Sequence, residues 1–369
     1  MANGDDPFSM SALLASLQHP PFTSATLPIT PPLPPPPTPR GILFAIPPPR
    51  YDVVDQPPNS FIPGGLLTPQ YPESPMHSMF DLMTDSKGEV NMGRFKEMIS
   101  RLSKREFQEV ASLLTSDPDY FLAIARNKNG SYRLQSLIGK SHDADNLFFA
   151  AILRRFLHVM TDRYACHVAT RGMRVFDDEK KELMYEHMIL PHALRLACDK
   201  HGCIALNEII TDSDHPFYRS QLLDIVADNA LFLCNDASGN YVVQRVLTLN
   251  DLRCTHNIAV SLVGRFVELS SNKCGSYVVE RLLETEESMV LVVEELLECD
   301  GGRLLRLARN EFGSFVVVKA LRVTQEENMF GGYLFWGLVD KLMPFVHLLR
   351  RSCGSTSVAA IIESVSVAN

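Results

Sequence analysis

The residues best suited to chemistry lie in two phrases thirty-six positions apart. Ser238–Leu247 reads SGNYVVQRVL, and Cys274–Leu283 reads CGSYVVERLL. The apolar frame is kept, while Asn240 and Gln244 in the first become Ser276 and Glu280 in the second. On a helix, residues four apart share one face a turn apart. Each pair can therefore offer two hydrogen-bonding groups to the edge of one flat object. Tyr241 and Tyr277 project beside the pairs and can stack between successive objects. Edge hydrogen bonds combined with stacking suit nucleobases.

Such pairs need a scaffold that repeats. Aligning the chain on these phrases gives seven copies, anchored at Gly130, Ala165, Gly202, Gly239, Gly275, Gly313 and Gly354. Six residues before the anchors stand Ile124, Val159, Leu196, Leu233, Leu269, Leu307 and Leu348. Three before stand Asn127, Asp162, Asp199, Asp236, Asn272 and Asn310, with Arg351 breaking the series. An Asx side chain there can accept from the backbone two or three residues on and start a helix. Apolar residues four, seven and eight after the anchor, such as Leu134, Leu137 and Ile138, or Val243, Val246 and Leu247, form one buried stripe. A further apolar helical segment, such as QLLDIVADNALFL or HNIAVSLVGRFVEL, fills each interval. A unit of about 36 residues cannot bury its apolar face alone, so the units must stack. The expected fold class is all-α, a curved α-solenoid with an armadillo-like superhelix. Met92–Tyr120 has helical texture but no anchor phrase, which suits a degenerate repeat or an N-terminal cap.

Composition sets the outer limits. Of 24 prolines, 20 precede residue 76, and PPLPPPPTPR falls at 31–40. Proline lacks a backbone donor and favours extended polyproline II. Residues 1–80 are therefore expected to be a disordered Pro-rich tail, and 81–369 the repeat domain. The net charge of −8 is uneven, since residues 1–86 hold seven Asp/Glu against two Lys/Arg. A near-neutral array can still carry a basic face. No run of apolar residues is long enough to span a membrane, and MANGDDPFSM lacks a secretory pattern. A cytoplasmic protein is expected, with the nucleus as the alternative. Cysteines form no CxxC pair, and Cys198, His201 and Cys203 lack a fourth ligand at sensible spacing, so neither metal nor cofactor is expected. No phosphate loop, HExxH or nucleophile motif is present, so the chain is not expected to be an enzyme.

Period, anchors, stripe and triplets together make GNYVVQ and GSYVVE resemble the base-reading helices of the Pumilio (PUF) repeat family of RNA-binding proteins. The resemblance covers residues 90–369. It implies single-stranded RNA lying antiparallel along the concave face, one base per repeat, in the 3′ untranslated regions of mRNAs whose translation and stability are controlled. Asn240 and Gln244 match the family's uracil pair, and Ser276 and Glu280 its guanine pair. Ser131 and Gln135 are similar to the adenine pair, and Cys203, Asn207 and Ser314 stand at equivalent positions. This order gives a 5′-GU-3′ core. Tyr132, His167, Tyr241, Tyr277 and Phe315 are the implied stacking residues. Cys166 with Thr170, Cys203 with Asn207, and Ser355 with Ala359 depart from the family's pairs, and Val318 cannot hydrogen-bond. Basic residues recur six after the anchor at Arg171, Arg245, Arg281 and Lys319, where they could approach phosphates. A monomer is expected, with protein partners on the convex face or the tail. The competing expectation is a helical-repeat scaffold for proteins whose RNA face has decayed.

Overall fold

A computed structural model describes residues 75–84, 91–327, 332–351 and 353–366. Among them every regular element is a helix. The last helix of each unit carries the anchor phrase. These helices, labelled α1 to α7 in chain order, are Lys128–Leu137, Cys166–Val175, Gly202–Asp212, Gly239–Leu247, Lys273–Leu282, Gly313–Glu327 and Thr356–Ser366. Each packs on the next, so the seven form one continuous row. A second row runs beside it, with Pro216–Asp228 against Leu252–Ser261, then Glu286–Glu298, then Tyr333–Leu342.

The start of each inner helix follows from the Asx series. Asn127, Asp162, Asp199, Asp236, Asn272 and Asn310 each accept the anchor's N–H at 2.7 to 3.0 Å. Such a cap is worth about 1 kcal/mol over alanine. The stripe is buried as expected, with Leu134, Leu137, Val243, Val279, Leu282, Val317, Ala320 and Leu321 at 0% exposure. Each buried aliphatic side chain contributes about 1.5–3 kcal/mol by leaving water. In the last unit the apolar position six before the anchor slips by one residue. Leu349 is fully buried in place of Leu348, and its carbonyl accepts from Ser355 Oγ at 2.8 Å.

Two sequence expectations need correction. The segment between anchors is two helices, so the unit has three. QLLDIVADNALFL divides into Pro216–Asp228 and Ala230–Asn235 at Asn229, whose ψ of 18° leaves helical geometry. HNIAVSLVGRFVEL divides at Gly264, whose φ of 80° favours glycine. The boundary placed at 80/81 falls inside the helix Pro75–Thr84. This helix packs on Pro118–Arg126, whose Tyr120 Oη donates to the Met76 carbonyl at 2.7 Å, and on α1, whose Arg133 Nη1 donates to the Leu82 carbonyl. Met83 is fully buried, and the Arg133 guanidinium lies 5.3 Å from the Phe95 ring centre. Pro75–Thr84, Met92–Ser100 and Lys104–Thr115 thus close the N-terminal end of both rows. The rest of the expected tail lies outside the described residues.

Candidate nucleic-acid interface

The three variable positions of each unit occupy three depths. The residue one after the anchor forms a floor: Ser131, Cys166, Cys203, Asn240, Ser276, Ser314 and Ser355 are all buried. The residue two after stands out from it, with Tyr132, Tyr241, Tyr277 and Phe315 between 45 and 63% exposed. Ile204, at the same position of unit three, stands out equally at 47%. His167 is half-buried. The residue five after is half-buried at Gln135, Asn207, Gln244, Glu280 and Val318, and buried at Thr170 and Ala359. The edge pairs therefore do not present two equally open groups. A flat ligand between exposed side chains meets one half-open group and one at the bottom of the slot.

Within the pairs, the geometry follows the chemistry. Gln244 Nε2 donates to Asn240 Oδ1 at 2.9 Å, while Asn240 Nδ2 donates to the carbonyls of Asp236 and Ala237. The amide pair is thus held as one unit with the Gln244 carbonyl left for a donor. Gln135 Nε2 donates to Ser131 Oγ at 3.0 Å, and that hydroxyl donates to the Tyr164 carbonyl of the next unit at 2.7 Å. Asn207 Nδ2 reaches the Tyr241 carbonyl at 3.5 Å, and its Oδ1 is buried without a partner. Such an acceptor is costly unless a ligand supplies a donor. Ser276 Oγ donates to its own helix at Lys273. Burial holds the Glu280 carboxyl above the usual carboxylate range, against the opposing pull of Lys319 and Arg281. Burial also pushes the Cys166 thiol up to about 12, so this floor residue is a neutral thiol.

Two grooves follow the row. One of about 260 Å³ is bounded by Tyr132, His167 and Ile204 over the floor of Ser131 and Cys166. A larger one of about 560 Å³ runs from Ile204 past Asn207, Tyr241 and Gln244 to Arg281. The structure thus brings Ser131, Tyr132 and His167 into one channel and Asn207, Tyr241 and Gln244 into the next. Ser276, Tyr277 and Glu280 on α5 and Ser314 and Phe315 on α6 continue the row outside both. Among the described residues, no three His, Cys, Asp or Glu side chains converge as a metal site, and no helix is long and apolar enough to cross a membrane.

The cations six after the anchor occupy the seams between units. Arg245 Nε donates to Thr211 Oγ1 of α3 at 2.9 Å, and Lys319 Nζ donates to Glu284 Oε1 at 2.6 Å. Arg281 also pairs with Glu284. Arg171 lies beside Gly139, whose Cβ position is 3.6 Å from its Nη2. Between units two and three the charges are reversed. Glu208, six after its anchor, accepts from Arg174 Nη2 at 3.3 Å, and Arg174 Nε donates to Asp212 at 2.7 Å. Glu208 also lies 3.5 Å from His167 Nδ1, a contact that raises the histidine's pKa and lowers the glutamate's. Sequence reasoning missed Glu208 and Arg174, although an acid at the sixth position was a visible exception to the basic series.

Comparison with known proteins matches this geometry. The Pumilio-family RNA binding repeat matches residues 155–187, 192–227, 229–251 and 265–297. The Pumilio homolog 18 of Arabidopsis thaliana is 55% identical over 99% of this chain and 98% of its own length. The chain belongs to the Pumilio family. Two solved Pumilio-type structures share the fold. The Puf4 RNA binding domain bound to the HO endonuclease RNA 3′ UTR recognition sequence superposes with a TM-score of 0.69 at 21% identity, covering 78% of this chain and 88% of that one. The RNA-binding domain of yeast Puf5p bound to SMX2 RNA gives 0.62 at 16%, covering 79 and 86%. The matched repeats span units two to five, and the structure adds Pumilio-like units on both sides. Pumilio repeats are RNA-binding modules, and the family is not one of enzymes.

Proposed function

We propose that this Pumilio protein binds single-stranded RNA sequence-selectively in mRNA 3′ untranslated regions and thereby regulates translation and mRNA stability in the cytoplasm. The RNA runs antiparallel to the row, with guanine at unit five and uracil at unit four. The observation that carries this reading is the contrast between α4 and α5. In both, an exposed tyrosine stands beside a floor residue and a half-buried partner, but an amide pair becomes a hydroxyl and a carboxylate. Only guanine offers adjacent N1–H and N2–H donors to a carboxylate. At unit six, Val318 adds no polar group beside Ser314, so the base 5′ of the guanine is read less strictly. Protein partners would find exposed apolar contacts at Phe217 and Leu252, in the first turns of two helices of the second row.

Selection from random RNA should enrich a GU-containing motif, and a pool with no shared motif would end the base-reading claim. In the selected RNA, Gln244→Glu should shift one position from U toward G, costing about 1–3 kcal/mol against uracil, by analogy with base-edge pairs in DNA. Acidity should act first at unit five. Because burial raises the folded Glu280 pKa, the stability linked to its proton is present at low pH and lost as pH rises through that value. Guanine requires the opposite, ionised form. Selectivity for G should therefore fall on mild acidification before selectivity for U at unit four does. Competition binding across pH checks this, and equal sensitivity at the two positions would count against it.

A further inference from the structure

A second series of cations lies two residues before the anchors, at Lys128, Arg163, Lys200 and Lys273. All four are exposed. Lys128 and Lys273 open α1 and α5, while Arg163 and Lys200 lie in the turns just ahead of α2 and α3. Folding gives no reason for them. A helix N-terminus carries partial positive charge and disfavours a cation, and none of these four helices has an acid in its first turn. Asp162 and Asp199, one residue away, use a carboxylate oxygen to cap the helices. Lys128, Lys200 and Lys273 have no ion-pair partner among the described residues, and Arg163 lies 5.3 Å from the Tyr164 ring centre. The cations six after the anchor differ on both counts. Arg245 and Arg281 sit in last turns, where the helix favours positive charge, and Arg245, Arg281 and Lys319 have partners.

We propose that Lys128, Arg163, Lys200 and Lys273 form the edge that binds the phosphodiester backbone of the RNA, while Arg245 and Lys319 hold neighbouring units together. The proposal rests on the RNA reading above and adds where the strand's charge is met. The smaller groove supports it. Lys128, Arg163 and His201 line the same slot as Ser131, Tyr132 and His167, and no carboxylate lines it. A base entering that slot brings its phosphate close to the fixed charges of Lys128 and Arg163. One cation per unit at units one, two, three and five matches the spacing of one nucleotide per repeat.

The test is equilibrium binding of the full chain to its selected RNA over a range of salt concentrations. Each phosphate contact on a single strand contributes about 0.7 to the slope of log K against log salt. The variant K128Q/R163Q/K200Q/K273Q should lose about 3 from that slope, weaken binding evenly across sequences, and keep its base preference. R245Q/K319Q should leave the slope unchanged. An unchanged slope in the fourfold variant, or a loss confined to R245Q/K319Q, overturns the proposal and leaves base reading intact. If selection enriches no motif, base reading falls, and the same slopes measured on an unrelated single-stranded RNA still decide the cation edge.

Discussion

Removing residues 1–84 should destabilise the helical array by about 3–5 kcal/mol, whereas removing 1–73 should change it by less than about 0.5 kcal/mol. The difference lies in the helix Pro75–Thr84. Without it, fully buried Met83 is lost, and the faces of α1, Lys104–Thr115 and Pro118–Arg126 that it packs against gain solvent. Loss of a buried methionine side chain alone costs about 2–5 kcal/mol. Arg133, which is 2% exposed, also loses the Leu82 carbonyl to which it donates. In a solenoid each unit is supported by its neighbours, so losing an end cap removes a whole interface. Urea unfolding of the two truncations measures the effect, and equal midpoints would show that the end helix carries no load. Exchange of the Tyr120 and Arg133 amides locates it.

Gly130→Ala should cost about 3 kcal/mol, an unusually large penalty for one methyl group. A Cβ at this position would lie 2.1 Å from the Ile124 carbonyl oxygen, a backbone atom that cannot swing aside. Unit two has alanine at the same place without harm because its helix starts later. Ala165 is the cap residue of α2, whereas Gly130 lies inside α1, which begins at Lys128. The thermal midpoint of Gly130→Ala against Gly93→Ala, whose nearest contact is a side-chain oxygen at 3.3 Å, separates the clash from ordinary glycine entropy. Similar losses in both would refute the steric account.

The inner row was legible in the sequence because a helix advertises its buried face. Val243, Val246 and Leu247 recur as Val279, Leu282 and Leu283, and both sets are buried. The Asx caps were legible for the same reason, since one position does one job in six units. The three-helix unit was not. Its break is made by a positive-φ glycine at Gly264 but by Asn229 or Arg155 elsewhere, so no residue type repeats. Depth within the triplets was also hidden: Ser276 and Glu280 are both polar, and only packing makes one a floor and the other a half-open partner. The end helix escaped because the proline-rich stretch runs up to its first residue, Pro75.

The seams have a consequence for anyone who would rearrange this protein. Unit three meets its predecessor through Glu208 against Arg174, unit four through Arg245 against Thr211, and unit six through Lys319 against Glu284. These contacts are not interchangeable. Transplanting unit four behind unit two would set Arg245 against Arg174, two like charges where attraction had been. The order of the modules, and with it the order in which bases would be spelled out, is thus enforced by the joints as well as by the reading residues. A designer who edits only the triplets keeps that grammar, and one who shuffles whole units must rewrite it.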